Sequence, residues 1–216
     1  LMEAEMFDRI CGVAVGAAVG DALGMPLEFG PPRPRHDWLR DMTEGRIPAG
    51  TFTDDTEMAL ALAESLLVYR PLNPVDLAGR FVTWLRANPP DVGMHTASVL
   101  RRVAAGEPWD AAVGAVQART PDSAGNGSVM RCWPVALAWW QDWDLLISDS
   151  LLQSDVTHPH AECRAGCAFV NGVIYHLLRG VAPAEAVSKA LDALEIPAPL
   201  RVVIQAASEK RFQDLP

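Results

Sequence analysis

The chain is short of several things. It has four cysteines in 216 residues, Cys11, Cys132, Cys163 and Cys167. That is too few for a disulfide scaffold at this length, and a domain of this size needs no staples, because it can bury about 70% of the surface its unfolded form exposes. Basic residues are scarce: Lys plus Arg is 18 against 27 Asp plus Glu, a net charge of −9 with a pI near 5.0. An acidic surface repels phosphate backbones, which argues against general nucleic-acid binding, though not against one local site for a phosphorylated small molecule. The N-terminal run LMEAEMFDRI carries acids where a signal peptide needs bases. The longest apolar stretch, Ile10 to Val19, is too short to span a bilayer and is followed by Asp21. A soluble, reducing, cytoplasmic setting without a membrane partner is expected. Alternating strand-like runs are scarce, and there is no repeat, low-complexity tract or linker.

What is present is helical. Half the residues are hydrophobic and 21% are charged, which excludes a disordered chain. Apolar residues recur at helical spacing over 5–20, 54–69, 74–87, 95–105, 109–117, 127–140, 143–154, 160–179, 183–194 and 198–210. Gly and Pro punctuate them at Asn73-Pro74, Pro89-Pro90, Gly106-Glu107-Pro108, Gly180 and Pro183. The expected fold is all-α, a compact multi-helix orthogonal bundle forming one domain over residues 1–216. The longest non-helical stretch, about 21–52, is long enough to be a functional loop. Gly12, Gly16 and Gly20 lie on one face of the first helix. Each lowers helix stability by about 1 kcal/mol, so close approach of another backbone is expected, with this Gly-rich first helix buried at the centre of the bundle.

Four segments are more polar than a bundle requires. In Gly20-Asp21-Ala22-Leu23-Gly24, followed by Glu28, the two acids flank an apolar run; either could cap a helix or bond loop amides. In Thr53-Asp54-Asp55-Thr56-Glu57, opening a helix, a cap accounts for one oxygen. Two adjacent carboxylates and two hydroxyls exceed that need, and hard oxygens at this density suit magnesium, manganese or calcium. Metal and cap readings both stand at this point. Gly125-Asn126-Gly127-Ser128 reads as a tight turn into a helix whose N–H groups could cradle a phosphate, with Arg131 placed to pair with it or with a carboxylate; a plain turn is the other reading. Thr157-His158-Pro159-His160 could bind metal, or cap the next helix and line a pocket. Cys163 and Cys167, four apart and near these histidines, could join a zinc site, but no second Cys pair completes a tetrahedral set, so buried reduced thiols are the plainer reading.

In this order, GAAVGDALGMPLEF, GTFTDDTEMALAL, AGNGSVMR and THPHAECRAGCAF resemble the ADP-ribosylglycohydrolase family, which includes the dinitrogenase-reductase-activating glycohydrolases. The resemblance implies an all-α hydrolase with two divalent ions, usually Mg2+ with Mn2+ as the alternative. Such an enzyme releases ADP-ribose from an ADP-ribosylated protein or an ADP-ribosyl small molecule. It implies metal ligation by Thr53, Asp54 and Asp55, catalytic roles for Glu28, Asp54 and Asp55, and a structural role for Asp21. It assigns ADP-ribose contacts to Gly125, Asn126, Gly127, Ser128 and His158. The family's later acidic motif, Gly-Gly-Asp-x-Asp-Thr/Ser, has no match here, and Asp214 is a lone acid. The domain is therefore expected to be C-terminally truncated, with weak metal binding, little catalysis and self-association through exposed apolar surface. The alternative class is a non-enzymatic ADP-ribose-binding or crystallin-like structural protein on the same scaffold.

Overall fold

A computed structural model describes residues 2–31 and 33–207. Among them the chain forms ten helices and no strand: α1 (Met2–Gly24), α2 (Asp54–Val68), α3 (Pro74–Arg86), α4 (Met94–Ala104), α5 (Trp109–Gln117), α6 (Pro134–Ala138), α7 (Trp143–Asp155), α8 (Ala161–Leu178), α9 (Pro183–Ala193) and α10 (Ala198–Ala207). Short 3-10 turns lie at Met25–Leu27, Arg35–Asp37 and Asn126–Ser128. The end of the expected last helix, residues 208–210, and Asp214 fall outside the described residues. The expected helix over 127–140 is divided into the Asn126–Ser128 turn and α6. Pro134 at the start of α6 explains the break, since its missing N–H cannot continue a helix from Arg131 but suits a first turn.

Local chemistry sets the boundaries. Asn73 caps α3 by accepting from the N–H groups of Val75 and Asp76, and Asp142 caps α7 by accepting from Leu145. Gly106 after α4 and Gly180 after α8 take φ of 97° and 78°, the left-handed conformation that ends helices at low cost. The main core lies where α2, α3, α4, α6 and α7 meet, around Met58, Leu62, Phe81, Leu100, Val135 and Val156. On α2 the buried residues Met58, Ala59, Leu62, Ser65 and Leu66 repeat at three and four, so one face of the helix is buried. α8 packs against α7, α9, α6 and α1.

The first helix departs from expectation. Among the described residues, nothing lies within 4 Å of the place a Cβ would take at Gly12, Gly16 or Gly20. Phe7, Val15 and Val19 are exposed, and only about a tenth of the helix is buried. The glycine stripe is thus open, not the centre of the bundle, and α1 rests on α2 and α8. The helix also runs beyond the apolar stretch at Ile10–Val19. With its continuation, Ala4–Leu27, it is long and apolar enough to cross a membrane. Two of its polar residues are nevertheless used inside the fold: Arg9 donates to the carbonyl of Leu178 and Asp21 binds the start of α2. An open groove of about 350 Å³ runs beside α1, bounded by Val15, Ala18, Val19, Phe52, Leu60 and Trp133.

Candidate active site

The acids gather where the end of α1, the loop after it and the start of α2 meet. Thr53 precedes α2 in extended conformation but does not cap it with its own side chain. The cap comes from α1. Asp21 accepts from the N–H and hydroxyl of Thr53 at 2.9 and 2.7 Å, and from the N–H and hydroxyl of Thr56 at 3.1 and 2.7 Å. A carboxylate with four donors at a helix N-terminus is a strong, charge-assisted anchor. Asp21 is accordingly structural, and Thr53, the residue at the cap position, is itself held.

With the cap supplied from elsewhere, Asp54 and Asp55 are free for another use. Both are half-buried, and no other side chain hydrogen-bonds to either among the described residues. Burial raises Asp54 from 3.8 to about 7, with repulsion from Asp55, Asp91 and Glu28 adding to it. Burial likewise raises Asp55 to about 6, with Asp21, Glu28 and Asp91 repelling it. Glu57 is not part of this group, because its carboxylate accepts from the indole N–H of Trp84 at 2.6 Å.

Among the described residues, the cation bonded to this cluster is Arg46, in the long loop. It donates to Glu28 and, at 2.6 Å, to Asp91 Oδ2. Phe29, next to Glu28, has φ of 62°, a rare conformation for a non-glycine residue, and its ring lies 5.1 Å from the Arg46 guanidinium. Asp91 and Arg46 were not expected from the sequence. Asp91 follows Pro89-Pro90 in what reads as an ordinary turn, and nothing local marks either residue as facing Glu28.

The Gly125–Ser128 loop meets α4. Thr96 on α4 is the link, since a Cβ on Gly127 would lie 3.3 Å from its hydroxyl. Asp91, which bonds Arg46, lies five positions before Thr96, at most about 17 Å along the chain. Gly125 and Asn126 are exposed, whereas Ser128 is fully buried. The Ser128 hydroxyl is within 2.8 Å of Ser154 Oγ, and Cys167 Sγ is 3.4 Å away. Its side chain therefore supports the loop from beneath, and only its backbone remains to meet a ligand.

His158 forms the floor of the loop. A Cβ on Gly127 would fall 2.6 Å from its Cε1 and 2.9 Å from its Nε2. Burial, helped by Arg131 and His95, lowers its pKa to about 3, so it is neutral at ordinary pH. His160 lies apart and caps α8 by accepting from the N–H of Glu162. The four cysteines are free thiols. Cys163 donates to the carbonyl of Gly125, which gives the α8 thiols a loop-supporting role. Arg131 does not reach a phosphate or a carboxylate as expected; it is fully buried and bonds Gln153 and Thr157.

Among the described residues no three His, Cys, Asp or Glu side chains form a group able to hold a metal ion. The donor chemistry at positions 53–55 still fits a hard divalent cation. Asp54 and Asp55 repel each other unrelieved, and the Thr53 hydroxyl donates to Asp21 and keeps its lone pairs. These residues offer part of a coordination shell.

The scaffold is all-α, with paired acids at the start of α2 and a Gly-Asn-Gly-Ser loop floored by His158. A profile described as ADP-ribosylglycohydrolase matches residues 2–215, and the chain belongs to that family. It is 36% identical over 179 residues to the ADP-ribosyl-[dinitrogen reductase] glycohydrolase of Rhodospirillum rubrum, covering 80% of this chain and 59% of that protein. It is 32% identical over 218 residues to the ADP-ribosylarginine hydrolase Tri1 of Serratia proteamaculans, covering 96% of this chain and 56% of that one. A solved structure titled ADP-ribosylglycohydrolase-related protein complex superposes with a TM-score of 0.77 at 33% identity, over 99% of this chain and 71% of the other. The chain thus spans less than three-fifths of the length of these two curated relatives.

Proposed function

We propose that this protein acts on ADP-ribosyl conjugates, cleaving the bond between the anomeric carbon of ribose and a modified protein side chain or small-molecule group, with a divalent cation, Mg2+ or Mn2+. The observation that carries this reading is the half-buried, mutually repelling pair Asp54–Asp55, with Glu28 and Asp91 close enough to raise both acids. Thr53, Asp54 and Asp55 would hold the ion, which when bound would fix the ribose hydroxyls and polarise water. Glu28 sits as the proton acceptor for the attacking water, with Arg46 and Asp91 setting its direction. The exposed backbone of Gly125 and Asn126 would take the diphosphate, orienting the sugar for attack. Departure of the conjugated group passes through an oxocarbenium-like state, to which water adds its oxygen and gives up a proton.

Titration calorimetry with ADP-ribose tests the reading. Binding in Mg2+ that disappears with EDTA is the expected result. Equal binding without metal would instead indicate a reader that does not cleave, and no binding in either buffer would defeat the assignment.

The open α1 face supports self-association of this chain through Phe7, Val15 and Val19. Sedimentation velocity should show a concentration-dependent shift towards dimer, reduced in Val15→Glu. A single monomeric species up to about 100 μM, an affinity scale worth only about 5–6 kcal/mol, would contradict it.

A further inference from the structure

Arg131 is the largest fully buried side chain, and no carboxylate pairs with it among the described residues. Burial lowers its pKa only to about 10, so it stays charged at neutral pH. Its guanidinium lies 4.3 Å from the ring centroid of Phe81, on the face of that aromatic. Nε donates to Gln153 Oε1 at 3.1 Å, and Nη2 donates to the Gln153 carbonyl at 3.0 Å and to Thr157 Oγ1 at 2.8 Å.

A guanidinium has donors and no acceptor, so each neighbour must turn a lone pair towards it. Two consequences follow. With Gln153 Oε1 committed to Arg131, the amide Nε2 points the other way. It donates to the carbonyl of Ser128 at 3.1 Å and to Cys167 Sγ at 3.1 Å. Thr157 Oγ1 accepts from Arg131, and its own hydrogen needs an acceptor in a fully buried position. The partner in reach is His158 Nδ1, at 2.8 Å. Nδ1 is then an acceptor, and a neutral imidazole must carry its proton on Nε2. That is the atom lying along Gly125 and Gly127. His95 holds the arrangement from the other side: its Nε2 lies 2.8 Å from the Thr157 carbonyl, and its ring lies 4.6 Å from that of His158.

We propose that Arg131 is a positioning residue that orients Gln153 and Thr157, so that Gln153 holds the backbone of Ser128 and Thr157 fixes His158 as an uncharged Nε2–H donor beneath the Gly125–Ser128 loop. This rests on the reading of that loop as the ADP-ribose site. The ligand oxygen met there would be an acceptor, a phosphoryl or ribose oxygen, and the loop would meet it with a hydrogen bond free of charge.

The test is the two-bond 1H–15N spectrum of [15N]histidine-labelled protein, in which protonated and unprotonated ring nitrogens have well-separated shifts. The wild-type chain should show His158 protonated at Nε2 and bare at Nδ1; a proton on Nδ1 would overturn the proposal without any variant being made. Thr157→Val keeps the volume and removes the hydroxyl. It should lose the tautomer preference and weaken ADP-ribose binding about tenfold, while Thr157→Ser restores both. Arg131→Lys keeps the charge without the planar fork and should lose the preference as well. A wild-type tautomer in Thr157→Val, or unchanged ADP-ribose affinity despite its loss, would refute the positioning role. Failure of the wild-type chain to bind ADP-ribose at all, with the tautomer as stated, would instead count against the functional reading of the loop.

Discussion

Asp54→Asn combined with Asp55→Asn should raise the melting temperature of the metal-free protein while abolishing metal-dependent ADP-ribose binding. Two acids at the start of α2 gain about 0.3–1 kcal/mol each from the helix dipole. Against that stands a rise from 3.8 to about 7 for Asp54 and to about 6 for Asp55, caused first by burial and then by neighbouring carboxylates. Taken at face value the larger rise is worth about 4 kcal/mol. Both groups are only half-buried, so screening reduces the net cost to about 1–2 kcal/mol each. The cost still exceeds the dipole gain.

The sign with pH is determinate. A carboxyl group whose pKa is higher in the folded state than in the unfolded one imposes no penalty below about pH 4, and the full penalty above its folded value. Acidification from pH 7.5 to 5 should therefore relieve the wild-type chain and leave the variant unaffected at these positions. His158 acts oppositely in part of that range. Held neutral down to about pH 3, it costs stability as pH falls below about 6.5, where the unfolded histidine takes up its proton. The difference between wild type and variant cancels this shared contribution. Differential scanning fluorimetry against pH, with and without millimolar Mg2+, reads both effects. Magnesium should stabilise the wild type alone. A variant less stable than wild type in EDTA would show that the two acids are satisfied structural caps.

Gly127→Ala should destabilise the protein by about 1–3 kcal/mol and weaken ADP-ribose binding by more than tenfold. The new methyl would lie 2.6 Å from His158 Cε1 and 3.3 Å from Thr96 Oγ1. The imidazole cannot move aside without breaking its bond to Thr157, so the loop must shift. Gly16→Ala is the opposite case. With nothing within 4 Å of its Cβ, it should gain about 0.5–1 kcal/mol from helix propensity alone. Thermal melts and calorimetry of the two variants should therefore diverge. Measured on dilute, monomeric protein, a destabilised Gly16→Ala would mean that the glycine stripe is packed within the chain itself.

The helices were readable because their apolar spacing and their Gly, Pro and Asn punctuation are local: α3 ends within a residue of its expected span, and α5 matches it. The exposure of α1 was not readable. Glycines four apart state that a neighbour could come close, and nothing in the spacing says whether one does. In the site, Asp54, Asp55, Glu28 and the Gly125–Ser128 loop stood out as polar interruptions of apolar runs. Asp91 and Arg46 did not, since their relation to Glu28 depends on how the long loop returns across the start of α4. The inward turn of the Ser128 hydroxyl was equally hidden, because it follows from the packing of α7 and α8 beneath the loop.

The four bonds from Asp21 tie two stretches of chain more than thirty residues apart into one mechanical unit. Amide protons at Thr53 and Thr56 should exchange with solvent only as fast as the N-terminal helix peels away. The acidic pair that follows them then keeps its shape only while that helix stays docked, so loosening at the amino end would disarm the site before any core residue became wet.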